Sequence, residues 1–182
     1  VPEGFAISTD LYFDFLKKSN LKEKISNLIQ HSNSLKINEL QKLSNQIKEL
    51  FNKTPFDSDI ISSIEQEYQR IGSSRVAVRS SATSEDSMEA SFAGQQNTYL
   101  NIIGFNSLIE SIKACWASVF EARAIFYRNS QNIPHFKSGM SVVIQQMVQP
   151  DVSGVMFTLE PTTLDPDKIV IEAAFGLGEA VV

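Results

Sequence analysis

Four short segments carry residues whose types and spacing could bind a phosphorylated ligand. In the first, residues 78–83, an apolar strand delivers the guanidinium of Arg79 to a run of small hydroxyl side chains. Small side chains let a polyanion approach the backbone, and a guanidinium can hold two phosphate oxygens at once. The same spacing also suits an arginine that pairs with a carboxylate between residues 85 and 89. This segment alone therefore does not decide between a phosphate-binding arginine and an ion-paired one.

Two glycine-containing turns are the second and third segments. Residues 91–98 lead into a strand, where Gly94 permits close backbone contact and Thr98 offers a hydroxyl to a phosphate or a metal-bound water. Residues 172–179 end a strand in a Gly-x-Gly turn, and Glu179 could face ribose hydroxyls or a magnesium-bound water. Each pattern also describes an ordinary tight turn. The Gly-x-Gly turn of residues 172–179 lacks the third glycine of the dinucleotide-binding fingerprint.

The fourth segment, residues 143–148, is an apolar strand that could line a slot for a flat ring. A purine needs apolar walls and a few polar groups at its edge, which a backbone N–H and C=O beside Met147 would provide. The alternative is a core strand with Gln145 exposed. Neither His31 nor His135 has neighbours at metal-ligand spacing, so we expect both at the surface and predict no metal site.

Composition limits the class of protein. The chain has 182 residues, 42% hydrophobic and 20% charged, which suits one domain or two small lobes. A net charge of -5 argues against a nucleic-acid-binding surface, and no apolar stretch has the length of a membrane span. Cys115 has no second cysteine to pair with, which favours a reducing cytoplasm. Because the chain starts without Met and stops after a glycine-rich turn, we expect a piece of a longer protein.

Hydrophobic periodicity predicts helices first and strands later. Residues 8–56 are helical in pattern, with Ser8 among the first capping residues, and Asp57 or Ser58 could cap a further helix that ends near Gly72. A sheet begins after this glycine, with strands over 75–79 and 95–102, and one long amphipathic helix follows over 106–129. The remaining strands are predicted over 140–148, 153–159 and 169–174, separated by turn-forming stretches, and we expect this C-terminal group to be antiparallel.

The order and the amino-acid sequences of these segments resemble the ATP-binding domain shared by phosphoenolpyruvate synthase, pyruvate phosphate dikinase and rifampicin phosphotransferase. The opening VPEGFA also resembles that family's VPPGFA, with Glu3 replacing the second proline. The resemblance covers nearly the whole chain and is weakest over residues 20–69. It rests on six further segments, namely residues 76–84, 91–101, 115–118 with 123–128, 143–148, 153–157 and 171–182.

The resemblance implies an α+β fold of the ATP-grasp type, in which two lobes hold ATP. Residues 1–138 would form the first lobe with a helical N-terminal region, and residues 139–182 the start of the second. By the same resemblance Arg79 would bind the nucleotide phosphates and assist their transfer, and the phosphate loop would include Gly94 and Thr98. Gln145 and Met147 would lie at the adenine, with Glu179 as a ribose or metal contact.

The implied activity belongs to a larger enzyme that uses MgATP to phosphorylate pyruvate through a phosphohistidine, yielding phosphoenolpyruvate, AMP and phosphate. The histidine-bearing domain and the acceptor domain would be its partners, and we expect this chain alone to be inactive because phosphoryl transfer needs further cations around the phosphate. One alternative is a rifampicin-type antibiotic phosphotransferase. Another is a nucleotide-binding or interaction module without catalysis.

Overall fold

The computed structural model describes residues 1–72, 74–82 and 97–181 of the chain. They form two compact units, residues 1–147 and residues 148–182, which are described separately below. The first unit combines helices with an antiparallel sheet, and the second is built on a smaller antiparallel sheet. The α+β class expected from the sequence is therefore confirmed.

Two helices of the first unit begin at capping residues that the sequence predicted. The Ser8 hydroxyl accepts a hydrogen bond from the Leu11 N–H at 3.5 Å, and Asp57 is the N-cap of the fourth helix. That helix ends two residues before Gly72, whose φ of +83° is left-handed. The described helices are α1 (Thr9–Lys18), α2 (Leu21–Ile29), α3 (Ile37–Lys53), α4 (Ser58–Arg70), α5 (Phe105–Ala117) and α6 (Ala122–Ser130).

A four-stranded antiparallel sheet forms the rest of the first unit. Its strands are β1 (Gly4–Ile7), β2 (Val76–Ala82), β3 (Thr98–Ile102) and β4 (Met140–Gln146), in the spatial order β1-β4-β2-β3. The sheet predicted from the sequence began after Gly72 and therefore did not include β1. This strand needs glycine at position 4, because a Cβ there would lie 2.4 Å from the Ile144 carbonyl oxygen of β4.

One face of this sheet is buried against the helices. Val76 and Val78 of β2, with Val142 and Ile144 of β4, are fully buried and join the helical side chains in one core. Trp116 of α5 is at the aromatic part of that core, and its ring centroid lies 5.1 Å from that of Phe15. The alternate residues of the strands face away from this core.

The single helix predicted over residues 106–129 is wrong. The chain instead forms α5 and α6, separated by a 3-10 turn over Ser118–Phe120 and by Glu121 in an extended conformation. The Ser118 hydroxyl donates to the Cys115 carbonyl, and the Arg128 guanidinium donates to the Val119 carbonyl. These buried side-chain contacts stabilise the break, which no glycine or proline announces in the sequence.

The second unit contains two paired strands, β5 (Val152–Phe157) and β6 (Val170–Phe175). They are antiparallel, as the sequence predicted. The loop that connects them contains an isolated antiparallel bridge between Glu160 and Asp165. A 3-10 turn over Gly178–Ala180 follows β6. The division into ATP-grasp lobes between residues 138 and 139 stays a prediction. Strand β4, which follows that position, pairs with β1 and β2 of the first unit.

Candidate functional site

Arg79 and Thr98 lie opposite each other on the face of the sheet that points away from the helices. Arg79 of β2 pairs with Thr98 of β3 on one side and with Val143 of β4 on the other. Both Arg79 and Thr98 are exposed, whereas their neighbours Val78 and Ser80 are buried. Since directly paired residues of antiparallel strands point to the same face, the guanidinium and the hydroxyl project from one surface.

Gln145 lies on the same face, two residues further along β4. It pairs with Ala77 of β2 and with Gly4 of β1. Its side-chain amide donates to the Pro2 carbonyl at 3.2 Å, which ties the start of the chain to this face. The face therefore carries a cation, a hydroxyl and an amide within two rows of paired residues. We call it the open face, defined by Arg79, Thr98, Val143 and Gln145; Ala77, which pairs with Gln145, is only 8% exposed.

Met147 follows the last residue of β4 at one end of this sheet. Its backbone N–H donates to the Arg75 carbonyl at 2.9 Å, so this amide is already used inside the first unit. The N–H of Gln146 similarly donates to the Glu3 carbonyl at 2.9 Å. A purine edge at Met147 would thus have to use other groups of the connection that follows β4.

The two remaining predicted site residues, Gly94 and Glu179, do not belong to the described sheet of the first unit. Gly94 lies outside the described residues. Glu179 belongs to the second unit, where it is exposed in the 3-10 turn after β6. The preceding turn is ordered by the Ser153 hydroxyl, which donates to the Gly176 carbonyl at 2.7 Å, and Gly176 adopts a φ of +80°.

Comparison with known proteins assigns the family. All 182 residues match the model of the pyruvate phosphate dikinase AMP/ATP-binding domain. The chain belongs to this family. Its relatives include proteins named probable phosphoenolpyruvate synthase in Staphylothermus marinus, 46% identical, and phosphoenolpyruvate synthase in Helicobacter pylori, 45% identical, and in Aquifex aeolicus, 41% identical. Each match covers 100% of this chain.

The same matches cover only 22% to 23% of those relatives. The chain therefore corresponds to the nucleotide-binding part of a much longer family architecture. The family is one of phosphotransferases, and this chain is similar to its AMP/ATP-binding domain throughout. The resemblance inferred from the sequence motifs is confirmed.

Behind the open face of this AMP/ATP-binding domain, a polar junction forms around Asn97, which sequence reasoning missed. The Asn97 carbonyl accepts the N–H and the hydroxyl of Ser80, both at 3.2 Å. The Cys115 thiol also points to this carbonyl, at 4.0 Å. The Asn97 amide contacts the carboxylate of Glu121 at 3.5 Å, and that carboxylate forms an ion pair with Lys48 at 3.2 Å. No local motif announces a junction of residues so distant in sequence.

A second polar cluster holds the end of α6. Arg128 is 2% exposed, and its Nε donates to Nδ1 of His135 at 3.2 Å. Nε2 of His135 lies 2.9 Å from Oδ1 of Asn129, which fits a neutral imidazole that accepts at Nδ1 and donates at Nε2. Burial, assisted by the Arg128 charge, lowers the pKa of His135 to about 4. His135 is partly buried, whereas a surface position was expected from the sequence.

The described residues fit phosphate better than they fit a metal ion. Arg79 and Thr98 supply a cation and a hydroxyl on one surface, which suits phosphate oxygens. No three His, Cys, Asp or Glu side chains within residues 1–72, 74–82 and 97–181 are grouped as metal ligands would be. The described part of the chain also contains no helix long and apolar enough to cross a bilayer.

Proposed function

We propose that the open face binds the phosphates of ATP, with Arg79 and Thr98 as the principal contacts. The observation that carries this proposal is the direct pairing of Arg79 with Thr98 in a protein of the AMP/ATP-binding domain family. A guanidinium can hold two phosphate oxygens at once, and a hydroxyl can donate to a third. Because Arg79 would touch the transferring group, it serves as both a binding residue and a catalytic residue.

The rest of the nucleotide would follow the ATP-grasp arrangement, with lobes over residues 1–138 and 139–182. Gly94 would contribute backbone to the phosphate loop, and Gln145 with the backbone around Met147 would meet the adenine. Glu179 would contact the ribose or the hydration shell of a magnesium ion. The Gln145 amide already bonds the Pro2 carbonyl, which supports a role in shaping this end of the site.

The whole protein would act as a phosphoenolpyruvate synthase. ATP, pyruvate and water would give phosphoenolpyruvate, AMP and phosphate, with the transferred group carried on a histidine of another domain. The names of the relatives favour this activity over the rifampicin-type alternative. Magnesium would enter bound to ATP, since this ion is usually held by one or two carboxylates together with substrate phosphates. The expected compartment is the cytoplasm.

A thermal-shift titration of the full-length gene product tests the nucleotide proposal. A ligand that binds only the folded state must raise its stability, so MgATP should raise Tm and Arg79→Ala should remove most of that shift. An equal shift in the wild type and the variant would contradict the proposed role of Arg79. The absence of any shift in the wild type would favour a non-catalytic module.

The acceptor is tested by product analysis on the same full-length protein. AMP and phosphate should form only when pyruvate is present, and rifampicin should not replace it. The 182-residue chain alone should form neither product above a magnesium-free control, because phosphoryl transfer needs cations that other parts would supply. Turnover by the chain alone would contradict the proposal that other parts of the protein supply cations needed for phosphoryl transfer.

A further inference from the structure

The partly buried Asn97 junction lies directly behind the two residues proposed to hold the phosphates. Ser80 follows Arg79 in β2, and Asn97 precedes Thr98 at the start of β3. Ser80 is 2% exposed, so its side chain lies on the core side of the sheet while Arg79 lies on the open face. Every contact between Ser80 and Asn97 therefore also fixes the relative position of Arg79 and Thr98.

The Asn97 carbonyl has an unusual number of donors. The Ser80 N–H and hydroxyl each donate at 3.2 Å, and the Cys115 thiol of α5 approaches at 4.0 Å. A carbonyl oxygen has two lone pairs, so three donors from two elements saturate it. Burial raises the pKa of Cys115 to about 12, so the thiol keeps its proton and remains a donor at neutral pH.

The side chain of Asn97 is held as well. Its amide lies 3.4 Å from the hydroxyl of Tyr99 and 3.5 Å from the Glu121 carboxylate, which also pairs with Lys48 of α3. These contacts are longer than the 3.2 Å contacts of the carbonyl with Ser80. Outside β3, Asn97 is thus contacted by three elements of the first unit: β2, α5 and the N-cap of α6.

We propose that Ser80 and Cys115 are positioning residues that, through the Asn97 carbonyl, hold Thr98 at a fixed spacing from Arg79 for binding nucleotide phosphates. This inference rests on the proposed function of the open face. Neither residue touches the ligand, since both lie on the core side of the sheet. Their effect is on geometry, because a hydrogen bond weakens when the donor–acceptor distance departs from about 3 Å.

The test uses two pairs of variants in the full-length gene product, with MgATP affinity measured by calorimetry. Ser80→Ala removes one donor, whereas Ser80→Thr keeps the hydroxyl. Cys115→Ala and Cys115→Ser form the matching pair at the thiol. We expect the alanine variants to weaken binding about fivefold, the effect of about one lost hydrogen bond, and the hydroxyl variants to stay within about twofold of wild type.

Ser118→Ala is the matched control, because its buried hydroxyl donates to the Cys115 carbonyl at the end of α5 without reaching Asn97. It should lower stability but leave MgATP affinity within about twofold. Circular dichroism at the assay temperature shows that each variant is folded. If Thr does not fit at the buried position 80, the Cys115 pair alone decides the outcome.

The outcomes separate the two proposals. If Arg79→Ala leaves the affinity unchanged, the proposed function fails and the positioning inference falls with it. If Arg79→Ala weakens binding but both alanine variants bind like wild type, only the positioning inference is wrong. It is also wrong if Ser118→Ala weakens binding as much as Ser80→Ala, since the loss would then reflect general destabilisation. Faster hydrogen exchange of residues 98–102 in Ser80→Ala alone would support the inference without any ligand.

Discussion

The two compact units of the chain differ in how much apolar surface they bury. The first has a core of fully buried aromatic and aliphatic side chains, in which Phe51 and Trp116 are 0% exposed. In the second, the apolar side chains of β5 and β6 are largely exposed, and Phe175 reaches 91%. A two-stranded sheet is only marginally stable in water unless another surface covers it. The comparison indicates that the first unit carries the stability of this chain.

The same substitution in each unit gives the largest expected contrast. Phe51→Ala should lower the free energy of unfolding by about 3–5 kcal/mol, because it leaves a cavity in the core. Phe175→Ala should change it by less than about 0.5 kcal/mol, since the ring is almost fully exposed. Urea unfolding followed by far-ultraviolet circular dichroism, which reports on both units, measures both; Trp116, the single tryptophan, lies in the first unit and reports only on its unfolding. Similar losses in the two variants would break the comparison.

Hydrogen exchange of the backbone amides in the two sheets should sharpen the comparison between the units. We expect β2 and β4 of the first unit to exchange hydrogen at least about tenfold more slowly than β5 and β6, because core strands open only with the whole unit. Mass spectrometry after peptic digestion resolves the two regions. Equal protection in both would mean that the second unit is stabilised as strongly as the first.

The acid sensitivity of the first unit should come partly from His135. Its pKa is lowered to about 4 in the folded state from a usual 6.5, so the unfolded state binds more protons between these values. Stability should therefore fall by about 1–2 kcal/mol as the pH drops from 6.5 to 4, after allowance for partial solvent exposure. His135→Asn should flatten this part of the curve.

The control for this pH effect is His31→Asn, which removes an exposed histidine of the same unit. Its stability curve should keep the wild-type slope between pH 4 and 6.5. A wild-type slope in His135→Asn would contradict the assigned role of the Arg128–His135 contact.

The smallest expected difference in stability is between two ion pairs that involve α3. Lys48–Glu121 joins two elements and contacts Asn97, whereas Lys53–Glu49 lies on the exposed surface of one helix. We expect Glu121→Gln to cost about 1 kcal/mol and Glu49→Gln about 0.3 kcal/mol, because solvent screens the second pair more completely. Urea unfolding at low and high salt measures both. A larger loss in Glu49→Gln would contradict this ranking.

Local signals predicted much of the fold. Ser8 and Asp57 announced two helix starts, and the apolar run before Arg79 announced β2, because caps and strand patterns depend on neighbouring residues. The motifs also identified the family before any comparison. The pairing of Arg79 with Thr98 needed the sheet register, which no short segment contains.

The missed features depend on contacts between distant residues. Strand β1 is too short to show a period, and its place is set by pairing with β4 across more than a hundred residues. The break between α5 and α6 is stabilised by Arg128, which lies beyond it. Likewise, Asn97 has meaning only once Ser80 and Glu121 are placed beside it. Propensity and periodicity do not encode such contacts.

The central claim is that the open face of the first unit binds the phosphates of ATP through Arg79. Calorimetry of MgATP binding to the full-length gene product, with Arg79→Ala and the exposed control Lys53→Ala, tests it most directly. The account predicts a loss of at least about tenfold in affinity for Arg79→Ala, as expected for a charge-assisted contact. Lys53→Ala should stay within about twofold, because Lys53 is an exposed cation that pairs with Glu49 on α3. Equal affinities in all three proteins would contradict the account.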